Sequence, residues 1–320
     1  MTYSNSLIHQ ILYAYDLQPN NIEVIYSGIN KVLRITARNK RYIFKMFKKS
    51  DFTKSKIAFE RKIMMHIHSK KINCAEVISP ICTTEQTYTL DNQLYFGIMM
   101  HESLGKQYST TIDNNYDFLF GQALFELHNC PKPALRNPQK NLNNAHHLTS
   151  KIGNDTLSGQ TTQLKKIILN LVYDIGLSNQ KPLTRTTYCI CHGDAWPGNA
   201  IYRKKACSLI DFEHTRLFDP TFDIATFIWW LTGSELNEDK KYSIWKQFTS
   251  GYGDTVKKLT NNKIPTYIKT NQLRSLIFLL NNIFVNDEIL DYAHQQTFNF
   301  VHRLKPYSSF DKLLEDLWKS

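Results

Sequence analysis

The feature of this sequence that most limits its possible folds is the stretch 186–213, which contains two short apolar runs with polar side chains directly after each. The loop after the first run contains Asp194 and, five residues later, Asn199, and the second run ends at Asp211. Between them, 200–210 has the alternation and the basic turn of a β-hairpin. Because a hairpin brings its two ends together, we expect Asp194, Asn199 and Asp211 to lie near one another.

These three side chains have the chemistry of a phosphoryl-transfer site. Amide and carboxylate oxygens suit Mg²⁺, which proteins hold with a few side-chain oxygens together with substrate phosphates. A further carboxylate that holds no metal is free to accept a proton. One Asp that orients the acceptor hydroxyl, with an Asn and a second Asp on the metal, is the arrangement of phosphoryl-transfer catalytic loops.

Lys45 is a second feature that indicates bound phosphate. It is in the third of three predicted strands, on the same face as apolar neighbours. A buried ammonium needs an anionic partner because its desolvation is costly, and Glu60 in the predicted helix 52–71 is the expected one. The turn with Gly28 and Asn30 joins the first two strands, where a phosphate-covering turn is needed.

The order of elements predicts an α+β protein with two lobes. A short amphipathic helix opens the chain, and strands of an antiparallel sheet with one further helix fill the lobe 1–103. The larger lobe, 104–320, is mostly helical and carries the hairpin. Residues 131–162 are poor in apolar side chains and rich in Asn, Pro, Thr and Ser, which predicts a long loop.

Two further residues are predicted to support the loop that contains Asp194. A loose transition state needs an oriented hydroxyl more than a strong base, so we expect His192 to brace the loop by hydrogen bonding. Asp223 begins an apolar helix and is expected to cap it, to reach back to the loop, or both. Trp229 and Trp230 on that helix are either core residues or the wall of a pocket for a cationic substrate.

Composition and charge restrict the location and the partners. No apolar run reaches the ~18 residues that span a bilayer, and the N-terminus has no signal-peptide pattern. With six cysteines that form no CxxC pair, this indicates a cytoplasmic protein with buried free thiols and no membrane partner. The net charge of +11 comes from 31–71, with fourteen bases and two acids, whereas 211–239 has seven acids and one Arg. This split disfavours a nucleic-acid-binding protein.

Together the motifs resemble the aminoglycoside phosphotransferase and choline kinase superfamily, which has a protein-kinase-like fold. The matching positions are His192-Gly193-Asp194 with Asn199, Ile210-Asp211-Phe212-Glu213, Asp219-Pro220 with Asp223-Ile224-Ala225, Lys45, Glu60 and Leu127-His128. The resemblance implies a bilobal enzyme that uses ATP and Mg²⁺.

The resemblance also implies roles for several of the matching residues. Lys45 would bind the α- and β-phosphates of ATP, and Glu60 would orient it. The nucleotide turn and the hinge that receives adenine would contain four more residues: Gly28, Asn30, Met100 and Glu102. Asp194 would be the catalytic aspartate that faces the acceptor hydroxyl, while Asn199 and Asp211 would bind Mg²⁺.

The acceptor is left open by the resemblance, because members phosphorylate aminoglycosides, choline, ethanolamine, thiamine or homoserine. The acidic stretch favours a small cationic molecule of the choline, amino-alcohol or aminoglycoside type. The alternative is a neutral or zwitterionic metabolite such as homoserine, thiamine or a sugar. A protein kinase is disfavoured because Gly193 replaces the usual Arg and no activation-segment pattern follows Asp211. The oligomeric state is not predicted.

Overall fold

The computed structural model of the chain describes these residues: 5–27, 30–81, 87–110, 115–135, 166, 168–173, 175, 188–256 and 263–282. Gly28 of the predicted nucleotide turn lies outside them, as does most of the predicted loop 131–162.

The N-terminal part forms a six-stranded sheet in which every pairing is antiparallel. Its strands are β1 (Pro19–Ser27), β2 (Lys31–Ala37), β3 (Lys40–Lys48), β4 (Val77–Ile78), β5 (Thr87–Leu90) and β6 (Gln93–His101). They are ordered β1-β2-β3-β6-β4, and β5 also pairs with β6. Two-residue turns with positive φ, at Arg38-Asn39 and Asp91-Asn92, suit the right-handed twist of hairpins. The predicted antiparallel sheet is confirmed.

Two helices accompany this sheet, α1 (Asn5–Tyr15) and α2 (Lys54–Ser69). Leu7 of α1 shares a hydrophobic core with Phe44 of β3. Since side chains alternate along a strand, Lys45 and Phe47 lie on the opposite face. There the ring of Phe47 packs on Phe52, just before α2, with 5.1 Å between the centroids. Lys45 is therefore held in an apolar layer and is itself buried.

The rest of the described chain is mostly helical. Its elements are α3 (Tyr116–Asn129), β7 (Cys189–Cys191), β8 (Ala200–Arg203), β9 (Ala206–Leu209), β10 (Arg216–Phe218), α4 (Thr221–Gly233), α5 (Glu238–Tyr252) and α6 (Ile264–Asn282), with 3₁₀ turns at Pro197–Asn199 and Phe212–His214. Strand β7 pairs with β10, and β8 pairs with β9 as the predicted hairpin. No helix in the described ranges has the length and apolarity to cross a bilayer.

The described residues belong to two compact units. The first contains the described parts of the chain up to Tyr108, residues 133–135 and Ala200–Thr215. The second contains the described parts of 109–132 and 139–199 and the chain from Arg216 onward. Lys45 and Asp211 therefore share the first unit, while Asp194, Asn199 and Asp223 share the second.

Helices α3 and α5 of the second unit approach each other at a glycine. A Cβ on Gly251 would lie 1.9 Å from the carbonyl oxygen of Phe118, so the backbone leaves no room for a side chain there. Beside this contact, the ring of Phe248 in α5 stacks on Phe227 of α4 with 3.9 Å between centroids. The core of this unit depends on the close approach.

We expect Gly251→Ala to lower the free energy of unfolding by about 1–3 kcal/mol, the usual cost of overpacking, although alanine favours helix. Gly233→Ala is the matched control, because Gly233 ends α4 with nothing within 4 Å of an added methyl group. Urea denaturation followed by circular dichroism gives both midpoints. Equal midpoints for Gly251→Ala and the wild type would contradict the close approach.

Candidate active site

The loop between β7 and β8 presents an acid and an aromatic side chain to solvent. Among residues 189–200, Asp194, Trp196 and Gly198 are partly exposed and the others are buried. The Trp196 N–H donates to the Asp194 carbonyl (3.1 Å), and the Asn199 N–H donates to the Trp196 carbonyl (2.9 Å). The loop is therefore a tight turn that leaves the Asp194 carboxylate accessible to a substrate.

Asn199 fixes the orientation of Asp194. Its side-chain Nδ2 donates to the Asp194 carbonyl at 2.9 Å and to Asp194 Oδ2 at 2.8 Å. Both donors of the amide thus point at Asp194, and the amide oxygen keeps its lone pairs for another partner. The structure brings these two predicted residues together.

Asp223 holds the backbone that precedes Asp194. Its side chain is fully buried in the first turn of α4. It accepts hydrogen bonds from the backbone N–H of His192 at 2.6 Å and of Gly193 at 2.8 Å. From the sequence, Asp223 was expected to cap α4, to reach back to the loop, or both. The contact observed is the one with the loop. His192 makes its contact with Asp223 through its backbone N–H.

His128, at the end of α3, is a partner of Asp223 to which the sequence analysis gave no role. Its Nε2 lies 3.0 Å from Asp223 Oδ2, and its Nδ1 lies 2.6 Å from the Tyr252 hydroxyl. Burial alone lowers the pKa of His128, but the hydrogen bond with Asp223 and the neighbouring Cys191 outweigh it and raise that pKa to about 9. The only sequence signal was the Leu127-His128 pair at the helix end.

The pKa of Asp223 moves in the opposite direction. Burial by itself raises it, yet the hydrogen bond from His128 leaves the pKa of Asp223 below its usual value. Asp223 and His128 therefore form a buried ion pair at neutral pH, and a charged carboxylate is a stronger acceptor for the two loop N–H groups.

Arg274 of α6 is a second residue that the sequence did not indicate. Its Nη1 donates to the Gly193 carbonyl at 3.0 Å and to Asn271 Oδ1 at 3.1 Å. Gly193 thus has its N–H held by Asp223 and its carbonyl held by Arg274. No local motif predicts this contact, because 81 residues separate the two partners.

In the first unit, Lys45 contacts the acids that follow β9. Its ammonium bonds Asp211 and lies 2.8 Å from Glu213 Oε2. Burial opposes the charge on Lys45, but Asp211 and Glu213 outweigh it and raise the pKa of Lys45. Burial also opposes the charge on Glu213, whose pKa Lys45 nevertheless holds well below the usual value. Glu213 had no assigned role from the sequence.

Glu60 is not the close partner of Lys45 that the sequence analysis expected. Glu60 is buried, but in the described part of the chain the ion pairs of Lys45 are with Asp211 and Glu213 instead. Asp211 directly precedes the 3₁₀ turn Phe212–His214 and Glu213 lies within it. Glu60 Oε2 has no hydrogen-bond partner in the described structure. Burial, with a smaller contribution from Glu213, raises the pKa of Glu60 to about 8, although Lys45 acts against it.

Asp211 has a backbone conformation that is uncommon for any residue but glycine. Its φ of 63° and ψ of 61° place it in the left-handed region, where strained residues cluster at functional sites. About 41% of its side chain is exposed. Asp211 thus keeps a carboxylate that is reachable from solvent while it pairs with Lys45.

The other predicted nucleotide residues have these positions. Asn30, at the start of β2, donates through Nδ2 to Glu213 Oε2. Met100 is a buried residue of β6. The N–H of Glu102 donates to the Arg41 carbonyl at 3.0 Å, and its carboxylate pairs with Arg34 and Arg41. The Glu102 N–H is therefore engaged already, and adenine binding at this hinge stays a prediction.

We expect the buried pair at Asp223 to make stability depend on pH through His128. A folded pKa of about 9, against about 6.5 when unfolded, contributes stability that is complete below pH ~6.5 and is lost as the pH rises through 9. The stability difference between wild type and His128→Gln should therefore shrink by about 3 kcal/mol over this window. Urea unfolding between pH 6 and 9.5 measures it, and a constant difference would show that His128 is uncharged.

Comparison with known proteins places the fold. The sequence profile of the phosphotransferase enzyme family matches residues 22–252, while a search of curated protein sequences finds no match. The fold is similar to that of an amicoumacin kinase (TM-score 0.71, 13% identity, 94% of this chain and 95% of that chain). The fold is also similar to that of a microcompartment-associated aminopropanol kinase (TM-score 0.66, 12% identity, 98% of this chain and 98% of that chain). A third similar structure is a spectinomycin phosphotransferase (TM-score 0.63, 14% identity, 99% of this chain and 98% of that chain).

These likenesses confirm the predicted protein-kinase-like fold. The family match covers more than half of the chain, from within β1 to the end of α5. The protein belongs to the phosphotransferase enzyme family.

Proposed function

We propose that this phosphotransferase moves the γ-phosphate of ATP to a hydroxyl of a small cationic molecule of the choline, amino-alcohol or aminoglycoside type. The observation that supports this best is the clamped loop of the second unit. Asp194 is partly exposed, its side chain and carbonyl are bound by Asn199, and the peptide before it is bound by Asp223. A rigid, accessible carboxylate is what orientation of an acceptor hydroxyl requires.

The proposed reaction needs little from the protein besides positioning. Asp194 accepts a hydrogen bond from the acceptor hydroxyl and takes its proton as the new bond between that oxygen and the γ-phosphorus forms. The bond between the γ-phosphorus and the bridging oxygen breaks, and ADP leaves with the electron pair. Because the transition state is loose, the hydrogen bonds that fix the loop matter more than a strongly raised basicity of Asp194.

Lys45 is the proposed ligand of the ATP phosphates. It is a buried cation whose charge is maintained by Asp211 and Glu213. Asn30, directly before β2, contacts the same Glu213, so Asn30, the lysine and the two acids form one polar cluster in the first unit. The amicoumacin kinase and the spectinomycin phosphotransferase were solved with AMP-PNP and with ADP, which supports a nucleotide as the donor.

The residues proposed for Mg²⁺ have suitable oxygens. Asp211 has an accessible carboxylate in a strained backbone, and the amide oxygen of Asn199 remains after both its donors bind Asp194. Carboxylate and amide oxygens together with phosphates match the preference of Mg²⁺. When bound, this ion would neutralise charge on the transferred phosphoryl group.

The acceptor class rests on two considerations. The names of the similar structures include an aminopropanol kinase and aminoglycoside phosphotransferases, whose acceptors carry both an amine and a hydroxyl. The acidic stretch 211–239 gives weaker support than the sequence suggests, because five of its seven acids are paired with basic side chains of the same protein. These pairs are Asp211 and Glu213 with Lys45, Asp219 with Lys263, Asp223 with His128, and Glu238 with Lys241. A neutral or zwitterionic metabolite is therefore the alternative.

An acceptor screen tests the proposed function. ADP formation from ATP and Mg²⁺ is measured with 1-amino-2-propanol, choline, spectinomycin, hygromycin B, amicoumacin, homoserine and a neutral sugar. We expect turnover with at least one of the five cationic compounds, which are all of these except homoserine and the sugar. We also expect a loss of about 100-fold or more with Asp194→Asn, because orientation and proton acceptance are both removed. Turnover only of homoserine or the neutral sugar, or equal turnover by Asp194→Asn, would contradict the proposal.

Asp211→Asn tests the proposed metal site. The substitution keeps the size of the side chain but removes its charge, so we expect the Mg²⁺ concentration for half-maximal activity to rise at least about tenfold. A titration of activity with Mg²⁺ at saturating ATP measures this change. An unchanged titration would show that Asp211 is not a ligand. Asp239→Asn is a control at an exposed acid of the same sequence stretch, and it should leave the titration unaltered.

A further inference from the structure

Trp196 is, like Asp194, a partly exposed residue of the loop between β7 and β8. The residue between them, Ala195, is buried, and so are the neighbours on either side of the pair, Gly193 and Pro197. The two side chains that leave the protein here are therefore an acid and an indole, two positions apart. Trp196 is thus an aromatic side chain of the same loop that a ligand can reach.

The indole of Trp196 is held in place by two neighbours. A Cβ on Gly198 would lie 2.1 Å from Trp196 Cη2, so the six-membered ring lies directly over the Gly198 backbone. The ring of Trp230, from α4, packs against Trp196 with centroids 6.2 Å apart and planes inclined by 37°. The aromatic face is thus fixed before any ligand arrives, which lowers the entropic cost of binding.

Trp229 and Trp230 have different surroundings, although they are adjacent in sequence. The indole N–H of Trp229 donates to Gln272 Oε1 at 2.8 Å, which ties Trp229 to α6. Trp230 instead supports the loop through Trp196. Both are partly exposed, so Trp229 offers a matched control at the same helix and with the same side chain.

We propose that Trp196, supported by Trp230, binds the cationic nitrogen of the acceptor, either a protonated amine or a quaternary ammonium, on the face of its indole. This inference rests on the proposed function and specifies its acceptor subsite. Tryptophan is the side chain that attracts cations most strongly through its ring face. Since Asp194 and Trp196 are two residues apart, the amine and the phosphorylated hydroxyl are separated by a short carbon chain, as in an amino alcohol or an amino sugar.

Binding without turnover is the first test. The chain is labelled with 5-fluorotryptophan, and the ¹⁹F resonance of position 196 is assigned by its loss in Trp196→Phe. We expect this resonance to shift on titration with at least one of 1-amino-2-propanol, choline and spectinomycin. For a choline response, 3,3-dimethyl-1-butanol, its neutral isostere, should bind about tenfold more weakly. No shift with any amine, or equal binding of the isostere, overturns the proposal.

Variants give the second test, with saturation-transfer NMR of the same amines and with steady-state kinetics of any amine that is phosphorylated. Trp196→Leu should weaken amine binding, or raise KM, about tenfold, with a smaller change for Trp196→Phe and none for Trp229→Leu. Wild-type affinity in Trp196→Leu overturns the subsite. If Trp196→Leu does not fold, the fluorine titration decides.

The two proposals fail separately. Amines that are phosphorylated with an unchanged KM in Trp196→Leu would leave the proposed function intact and remove the subsite. Amines that shift the resonance of position 196 without any ADP formation would contradict the proposed function and leave the binding of amines at Trp196 intact.

Discussion

The carboxylate of Asp223 is the group on which the second unit's site depends. Placing a charged carboxylate entirely out of water costs several kcal/mol unless its lone pairs are satisfied. Here they are satisfied by two backbone N–H groups of the loop and by the imidazolium of His128. The cost of burial thus becomes a constraint, since the loop cannot move away without removing two of the hydrogen bonds that this buried charge accepts.

That constraint is transmitted through the backbone to Asp194, the proposed catalytic residue. The peptide of Gly193 is held on both sides, by Asp223 at its N–H and by Arg274 at its carbonyl. The next residue, Asp194, is in turn held by Asn199. None of the groups that hold Gly193 needs to touch a substrate, and together they explain how a short irregular loop on a strand end can keep one carboxylate oriented.

The first unit uses the opposite arrangement, a buried cation surrounded by acids. Lys45 has more than one carboxylate within reach, so its charge is stable in an apolar layer. A phosphate that approaches this lysine meets a charge that is already neutralised in part, and the acids have to exchange partners. Asp211 is suited to such an exchange because about 41% of its side chain is exposed to solvent. Its backbone is held in the left-handed region at the start of the turn.

Much of this could be read from the sequence, because the relevant patterns are local. Strand alternation and turn residues predicted the sheet and the hairpin, and the spacing from Asp194 to Asn199 places both in one tight turn. Contacts between distant segments could not be predicted in the same way. Arg274 is 81 residues from Gly193, and the sequence offered Glu60 as the partner of Lys45 because it belongs to the next helix.

The sequence by itself determined the kind of chemistry, since loop residues at fixed spacing on a strand end define which groups can act together. Only the tertiary structure decided which carboxylates pair with Lys45 and which charges support Asp194. It also decided that Trp230 packs against Trp196 of the loop while Trp229 bonds Gln272 of α6, although the sequence treated the two tryptophans of α4 alike. The reason is physical: ion pairing and burial depend on which surfaces meet after folding, and a local pattern carries no information about a partner many residues away.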